Sequence, residues 1–439
     1  MGFPAALAVL TWRRSAKSSN GLRLCGSATI TGTALNCWEQ HMGGDVAGVL
    51  DGVRVLDFGR YIAGPYCAAL LAEHGAEVIR IEKREGSEDR FQAPVAETGE
   101  GALFLQMNRN KLGLTLDPMR PEGQEVVRRL VATADVVVAN LPPQTLAAMQ
   151  LDYASLTAVK PDIILTTATA YGRGGPYSDR VGFDGIGQVM SGAVYMTGTE
   201  EQPYRAAVPW VDFGTALHCA FGTMAALMAR KATGKGQWVE GALLATAVTM
   251  TNAMLIEQAV IKPDRVPTGN RGQTAAPVDI FRTRDGWILA QVIGQPLFKR
   301  WAKLMGEELW LTDPRFKDDI SRGDNGIVVS ERMSRWCAER TTAEALEILG
   351  AAKIPAGPVL RPQQTLDDPH IKAMGFFQAV EFPGAPRSAP IAKAPVWLSE
   401  TPGSIFRRAP TLGEHTDEIL AELGYDREAI AELRKAGVV

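Results

Sequence analysis

Cysteine and histidine are scarce in this sequence, and their positions show no metal-binding pattern. Among 439 residues there are five cysteines and five histidines. The cysteines are odd in number and lack the short spacing of zinc ligands, which argues against a disulfide scaffold and a structural zinc site. A reducing compartment suits this composition. The cysteines are Cys25, Cys37, Cys67, Cys219 and Cys337, and the histidines are His41, His74, His218, His370 and His415.

An excess of charge of either sign is also missing. The chain has 46 Lys and Arg against 49 Asp and Glu, which gives a formal net charge of −3. Proteins that bind nucleic acids or anionic membranes need a strong positive field, so the charge balance argues against both partners. With 46% hydrophobic and 22% charged residues the chain is globular. Its length indicates about two or three domains.

A long uncharged apolar run is absent as well. The most apolar stretch, residues 241–260, is interrupted by Thr246, Asn252 and Glu257. A transmembrane helix needs about 20 almost uncharged apolar residues. We therefore predict a buried helix at 241–260 in a soluble, cytoplasmic protein.

The N-terminal segment differs in composition from the rest of the chain. Residues 1–36 contain no Asp or Glu but four basic residues. This is the composition of an organelle presequence, which would make the protein mitochondrial. The alternative interpretation is that translation begins at Met42, so that the segment is a mis-called start or a disordered tail. Under either interpretation, residues 1–46 form an N-terminal extension outside the fold.

From residue 53 onward, short apolar strands alternate with helices. The pattern predicts a strand at 53–58, a helix at 66–74 and a second strand at 76–81, which together form a right-handed βαβ unit. This alternation predicts an α/β fold with a doubly wound sheet and helices on both faces. Further elements are predicted at 121–133, 135–139 and 163–167.

A dinucleotide site is the first hypothesis for such a sheet, and the sequence does not favour it. The loop at 59–64 is followed by the acidic strand end Glu82, as in dinucleotide-binding folds. However, that loop lacks the G-x-G-x-x-G spacing, and the glycines at 172–175 lead into Pro176 instead of a helix.

Seven segments, in the same order along the chain, carry a resemblance to one family. They are GVRVLDFGRYIAGPYCAALLAEHGAEVIRIEK at 52–83, NRNK at 108–111, YGRGGPYSDRVGFD at 171–184, TGKGQWVEGALL at 233–244, IPAGPV at 354–359, DDPH at 367–370 and APTLGEHTDEILAELGY at 409–425. These segments resemble the class III CoA-transferase (CaiB/BaiF) family, which also contains 2-methylacyl-CoA racemases. The resemblance extends over residues 49–439.

The resemblance implies an architecture and a set of partners. It implies a large, doubly wound, Rossmann-like domain from residues 47–225, completed by a return linker and C-terminal part at 346–439. A smaller α+β domain would lie at 226–345, with a strand at 286–294. It further implies an interlocked homodimer that acts on acyl-CoA and free carboxylic acids. CoA thioesters would be substrates, with no permanently bound cofactor, no metal, no nucleic acid and no membrane partner.

Asp184 matches the position of the family's catalytic aspartate. The resemblance implies that this carboxylate attacks the thioester and forms an aspartyl anhydride, and then an aspartyl-CoA thioester. The flanking Gly182 and Gly185 would allow close approach of the backbone to the substrate. From the residues alone, the favoured interpretation of Asp184 is the N-cap of a helix, and the resemblance is what favours catalysis.

Two other functions remain as alternatives. The racemases carry Gly-His-Asp where this chain has Gly182-Phe183-Asp184, and Asp212 matches their second acid/base residue. Proton transfer on both faces of a carbon needs two titratable groups, and Phe183 is not one. We therefore predict that Asp212 caps a helix at 215–228. The remaining alternative is an idle CoA-binding homologue.

The resemblance also implies CoA-binding positions, with several departures. Lys83 replaces a commoner Arg, which loses bidentate geometry toward phosphate, and Pro142-Pro143 and Ala147 stand where basic residues are usual. The glycine-rich loop of oxalate-type transferases is not visible at 270–274, which disfavours oxalate and formate and leaves a weak preference for short dicarboxylates. The matched positions are Ile62, Ala63, Lys83, Asn110, Lys111, Leu116, Asp117, Asn140, Leu141, Tyr171 and Gly172.

Overall fold

The computed structural model describes residues 48–439. The N-terminal extension predicted at 1–46, including Met42, lies outside the described residues. So do the presequence and start-site interpretations that depend on it.

Six strands form one sheet in which every neighbouring pair is parallel. The order is β3-β2-β1-β4-β5-β6, the order of doubly wound nucleotide-binding folds. The predicted α/β class and parallel sheet are therefore confirmed. The strands are β1 Arg54–Asp57, β2 Glu77–Glu82, β3 Lys111–Thr115, β4 Val136–Ala139, β5 Ile164–Thr169 and β6 Trp238–Ala242.

Helices connect these strands and continue to the C-terminus. The predicted helix at 121–133 is found at those residues, with Pro121 at its first turn, where a missing N–H costs nothing. The helices are α1 Ala63–Glu73, α2 Ala102–Met107, α3 Pro121–Thr133, α4 Pro143–Ala148, α5 Tyr153–Val159, α6 Asp184–Met190, α7 Ala193–Thr197, α8 Trp210–Thr233, α9 Leu243–Ile261, α10 Gln295–Met305, α11 Asp319–Asp324, α12 Gly326–Ala338, α13 Thr342–Ala351, α14 Pro362–Asp367, α15 Pro369–Ala373, α16 Thr416–Glu422 and α17 Arg427–Lys435. Short 3-10 helices lie at Glu88–Phe91, Glu308–Leu311 and Pro314–Phe316.

The sheet is buried on both faces, because apolar strands such as β4 (VVVA) offer side chains to each side. On one face α1 and α8 pack in a core that contains Leu71, Ala216 and Leu227. On the other face α3, α16 and α17 pack around Leu130 and Leu420. The C-terminal segment thus returns to the large sheet.

A separate antiparallel sheet has its own core. Strands β7 Val278–Arg282, β8 Trp287–Gln291 and β9 Ala356–Pro358 form this sheet, and Trp301 and Phe298 of α10 are buried beneath it. A hairpin of β10 Phe377–Val380 and β11 Ala389–Ala392 follows. Strand β6 pairs with β5 in the large sheet, so the separate sheet begins after α9. The domain boundaries at 226 and 345 stay predictions.

The helix predicted at 241–260 is present as α9, but the prediction that it is buried is wrong. Only Leu243, Thr246 and Ala247 of α9 are buried. Most of its other apolar residues are exposed in the described structure, because α9 packs mainly against α6 and α8. By length and composition alone, both α8 and α9 are long and apolar enough to cross a membrane. In the most apolar 18-residue stretch of α8, 50% of the residues are buried in the protein, against 11% in α9.

Candidate active site

Asp184 is the first residue of α6, and its side chain is held at the start of another helix. Its Oδ1 accepts hydrogen bonds from the main-chain N–H of Val211 at 2.8 Å and of Asp212 at 3.1 Å, both in the first turn of α8. Its Oδ2 accepts one from Gln188 Nε2 at 2.5 Å. The N-cap residue of α6 is Phe183, so Asp184 does not cap its own helix. Its carboxylate instead binds free N–H groups at the start of α8.

This arrangement keeps a charged carboxylate inside the protein. Asp184 is 8% exposed, and the first N–H groups of the 24-residue α8 carry the positive end of the helix dipole. A carboxylate has about four acceptor sites, of which three are filled here. Oδ2 has a single partner and keeps the capacity to make a new bond.

Gln188 is a site residue that the sequence analysis missed. It lies four residues after Asp184 on α6, so both side chains share one face of the helix. Its Nε2 donates to Asp184 and its Oε1 accepts from the main-chain N–H of Ala206 at 2.9 Å. Gln188 therefore fixes Asp184 against the segment that leads into α8. The spacing of four was the signal available in the sequence.

Asp212 lies beside Asp184 and is not a helix cap. It is the third residue of α8, whose N-cap position is Pro209, so the predicted capping role is wrong. Within the described part of the chain its carboxyl accepts no hydrogen bond. Burial, followed by the negative charge of Asp184, raises the pKa of Asp212 to about 7. A second carboxyl that titrates near neutrality thus adjoins the first.

Most of the predicted CoA-binding positions lie at one edge of the sheet. They follow the carboxyl ends of five parallel strands, and these ends meet at the same edge of the sheet. The strand order reverses between β1 and β4. Ligands of doubly wound folds bind in the crevice at that point. No cluster of three or more His, Cys, Asp or Glu in residues 48–439 is arranged to hold a metal. The positions are Ile62 and Ala63 after β1, Lys83 after β2, Leu116 and Asp117 after β3, Asn140 and Leu141 after β4, and Tyr171 and Gly172 after β5.

Two contacts connect this edge with Asp184. The Asn140 side chain accepts from the main-chain N–H of Arg60 at 2.6 Å and donates to the Arg60 carbonyl at 2.8 Å, which fixes the loop after β1. In that loop Tyr61 has the left-handed φ of 61°. The Tyr61 ring packs edge-on against Phe183, with ring centroids 5.5 Å apart. Because Phe183 precedes Asp184, the crevice and the carboxylate adjoin one another.

Asn110 and Lys111 lie elsewhere, at the start of β3 and thus at the amino edge of the sheet. Lys111 is completely buried, and its Nζ donates to Asp57 Oδ2 at 2.7 Å and to the Pro65 carbonyl at 2.8 Å. Burial lowers the pKa of Lys111 to about 8. The Asn110 side chain donates to the Ser404 carbonyl at 2.7 Å. Both side chains are occupied within the fold, which leaves only main-chain atoms for the predicted CoA contact.

The remaining predicted positions divide by exposure. Leu116 is fully buried and Leu141 packs against the same core, so these side chains stabilise the sheet. Lys83 is half-exposed and forms a surface ion pair with Glu88 at 2.5 Å. Such pairs contribute little stability and open readily to a ligand.

Comparison with known proteins gives a consistent result. Residues 50–416 match the family model described as CoA-transferase family III. A succinyl-CoA–D-citramalate CoA-transferase of Chloroflexus aurantiacus is 32% identical over 400 residues, covering 89% of this chain and 98% of that protein. A formyl-CoA:oxalate CoA-transferase of Rhodopseudomonas palustris is 33% identical over 415 residues, covering 88% and 96%. The crystal structure of a CaiB/BaiF family protein from Brucella suis has a TM-score of 0.76 at 30% identity, covering 86% of this chain and 100% of that one.

Proposed function

The chain belongs to CoA-transferase family III, and we propose that it moves CoA from an acyl-CoA thioester to a free carboxylic acid through covalent intermediates on Asp184. The observation that carries the proposal is the buried Asp184 carboxylate, which adjoins the crevice and whose Oδ2 has a single hydrogen-bond partner. The chemistry needs no proton source, since every nucleophile is an anion.

In the first step, Asp184 Oδ2 attacks the carbonyl carbon of the donor thioester. The carbon–sulfur bond breaks, the CoA thiolate leaves with its electron pair, and a mixed anhydride remains on Asp184. The thiolate then attacks Cγ of Asp184, which releases the donor acid as a carboxylate and leaves an aspartyl-CoA thioester. An acceptor carboxylate reverses the two steps and restores Asp184.

Attack at Cγ places negative charge on the oxygen that did not react. If Oδ2 forms the bond to the acyl group, that oxygen is Oδ1, which already accepts the N–H groups of Val211 and Asp212. Main-chain donors fixed before the reaction stabilise such an oxyanion, typically by about 3–4 kcal/mol for each donor. The start of α8 therefore serves both the resting carboxylate and the covalent intermediates.

Racemisation of an acyl-CoA is the second candidate, and one observation favours it. Asp212 has a pKa of about 7, which suits a general acid or base. A racemase needs a second acid or base on the opposite face of the carbon. The matching position of this chain is Phe183, a residue that is 67% exposed and has no titratable group. Incubation of an acyl-CoA in D₂O distinguishes the functions: a racemase introduces deuterium at the α-carbon, whereas the transferase does not.

Covalent trapping tests the proposed nucleophile. Purified protein is incubated with a panel of acyl-CoAs, treated with hydroxylamine or borohydride, and examined by intact mass and peptide mapping. We expect an adduct on Asp184 that Asp184→Ala abolishes. Asp179→Ala is the matched control, an exposed carboxylate in the same loop. An adduct that persists in Asp184→Ala contradicts the assignment, and CoA binding without an adduct from any donor supports the idle homologue.

We expect the acids to be short dicarboxylates. The relative from Chloroflexus aurantiacus is named for succinyl-CoA and D-citramalate, which supports this class. The oxalate-type glycine-rich loop is not visible in residues 270–274 of this chain, which disfavours oxalate and formate. Transfer from succinyl-CoA to C4–C6 dicarboxylates, with oxalate and monocarboxylates for comparison, tests this specificity.

A second copy of the chain is the proposed cover for the exposed faces of α8 and α9, consistent with an interlocked homodimer. Phe221 and Met228 on α8 are 77% and 70% exposed, and Val260 on α9 is 74% exposed. Large exposed apolar patches are typical of interfaces. Light scattering after size exclusion should give a dimer, and Phe221→Glu should shift it toward monomer. A monomeric wild type contradicts the proposal.

The cellular location depends on the N-terminal extension. We propose a cytoplasmic enzyme if translation begins at Met42, and a mitochondrial one if residues 1–46 are a presequence. N-terminal sequencing of protein purified from its source distinguishes the two.

A further inference from the structure

Arg60 is partly exposed and differs from the buried cations around the large sheet. Each of the others has a carboxylate within ion-pair distance, whereas Arg60 has none within 4 Å in the part of the chain that the structure describes. An arginine at a crevice without a carboxylate partner is available to an anionic ligand. The paired cations are Lys111 with Asp57, Arg80 with Asp89, Arg90 with Glu82 and Arg109 with Glu73.

The Arg60 guanidinium is fixed from one side only. Its Nη1 donates to the carbonyls of Phe58, Gly59 and Ile81 at 3.0, 2.7 and 3.3 Å. Its Nε and Nη2 donate to no residue within 48–439. Burial, followed by the charge of Arg80, lowers the pKa of Arg60 to about 10, so the side chain remains cationic at neutral pH.

The nearest carboxylates form no ion pair with Arg60. Those of Asp57, Glu82 and Asp89 act on it at longer range, and each is already bonded to another cation. The Nε and Nη2 donor groups of this cationic side chain are therefore available to an anion. An arginine fixed in this way is suited to phosphate, which it binds through parallel N–H donors.

The position of Arg60 indicates which end of a ligand it meets. Its main chain is bonded to Asn140 after β4, and its side chain reaches the last residues of β2, beside Lys83. The following residue, Tyr61, contacts Phe183 on the side of Asp184. The loop after β1 thus has a cation toward one end of the crevice and an aromatic ring toward the nucleophile.

We propose that Arg60 binds a phosphate group of CoA. This inference rests on the proposed function, because the ligand must carry an anion at one end and a thioester at the other. CoA has its phosphates at the end of the molecule opposite its sulfur. Arg60 thereby replaces the cations that the sequence lacks at 142–148. The carboxylate of the acid substrate is the competing anion, and the experiment separates the two.

Calorimetric titration of the full chain tests the proposal with three ligands: CoA, 3′-dephospho-CoA and pantetheine. For Arg60→Gln we expect the Kd of CoA to rise about tenfold or more, with pantetheine binding unchanged. If Arg60→Gln also weakens the binding of 3′-dephospho-CoA, Arg60 binds the pyrophosphate. If 3′-dephospho-CoA binds the variant and the wild type equally, Arg60 binds the 3′-phosphate. Arg128→Gln is the matched control, an exposed arginine on α3 paired with Glu125, and should bind all three ligands as the wild type does.

Three results would overturn the proposal. CoA binding by Arg60→Gln at wild-type affinity leaves the transferase intact and removes Arg60 from the site. Loss of affinity for the acid substrate alone assigns Arg60 to that carboxylate. If Arg60→Gln and Arg60→Lys both bind pantetheine and CoA equally more weakly, and both have a lowered Tm, Arg60 only stabilises the loop after β1. A wild type that binds no CoA refutes the proposed function itself.

Discussion

Two groups of buried acids in this molecule have opposite surroundings. Asp57 lies among cations: Lys111 at 2.7 Å and Arg80 at 3.7 Å. Burial would raise the pKa of Asp57, but these two cations lower it. Asp184 instead has main-chain N–H groups and an uncharged amide as partners, with Asp212 beside it. Acids whose charge is neutralised within the fold stabilise it, and acids without a counter-charge at a crevice are available for chemistry.

The largest effect that this comparison predicts is on activity at Asp184. Asp184→Asn keeps an oxygen that can accept from Val211 and Asp212 but removes the nucleophile, so we expect CoA transfer to fall at least about 1,000-fold. Transfer assays and thermal melts should show lost activity with a Tm close to wild type. A variant that retains a tenth of the activity contradicts the nucleophile assignment.

The opposite result is expected at Asp57. Asp57→Asn leaves Lys111 buried without its carboxylate, which typically costs about 3–5 kcal/mol of unfolding free energy. Chemical denaturation should detect this loss, with activity falling only in proportion to unfolded protein. Asp51→Asn, an exposed acid before β1, is the control and should unfold like the wild type. A fully stable Asp57→Asn that is inactive would move Asp57 into the site.

The sequence was sufficient where local pattern decides structure. The valines of β4 and the proline at the start of α3 predicted elements that the structure contains, and the βαβ order predicted the parallel sheet. It was insufficient where distant segments decide. Lys111 has its carboxylate 54 residues away, and the composition of α9 does not tell which of its faces is covered. The partners of Asp184 at the start of α8 likewise depend on tertiary structure.

A smaller effect is expected at Gln188, which positions Asp184 without replacing it. Gln188→Leu removes the donor to Oδ2 and the acceptor for the Ala206 N–H, so we expect kcat to fall about 10- to 100-fold. Gln188→Glu keeps the acceptor but repels the carboxylate, and should be no better. A purely structural role predicts an altered Tm with unchanged kcat in the folded fraction, which would contradict positioning.

Asp212 gives the smallest effect and the one that depends on pH. Its folded-state pKa of about 7 lies above its ordinary value of 3.8. Between these values the unfolded chain has released the proton while the folded chain retains it. Stability therefore decreases as pH rises from about 4 to about 7 and is constant above that window.

Asp212→Asn has no proton to release, so it should gain stability over the wild type across the same window. We expect about 1–2 kcal/mol at pH 8, after allowance for partial solvent screening. Denaturation at pH 5 and pH 8 measures the difference, with exposed Asp179→Asn as the control. A gain equal at both pH values would mean that Asp212 is ionised throughout. Asp184 and Asp212 would then both be ionised and would need a nearby positive charge, as Asp57 has in Lys111 and Arg80.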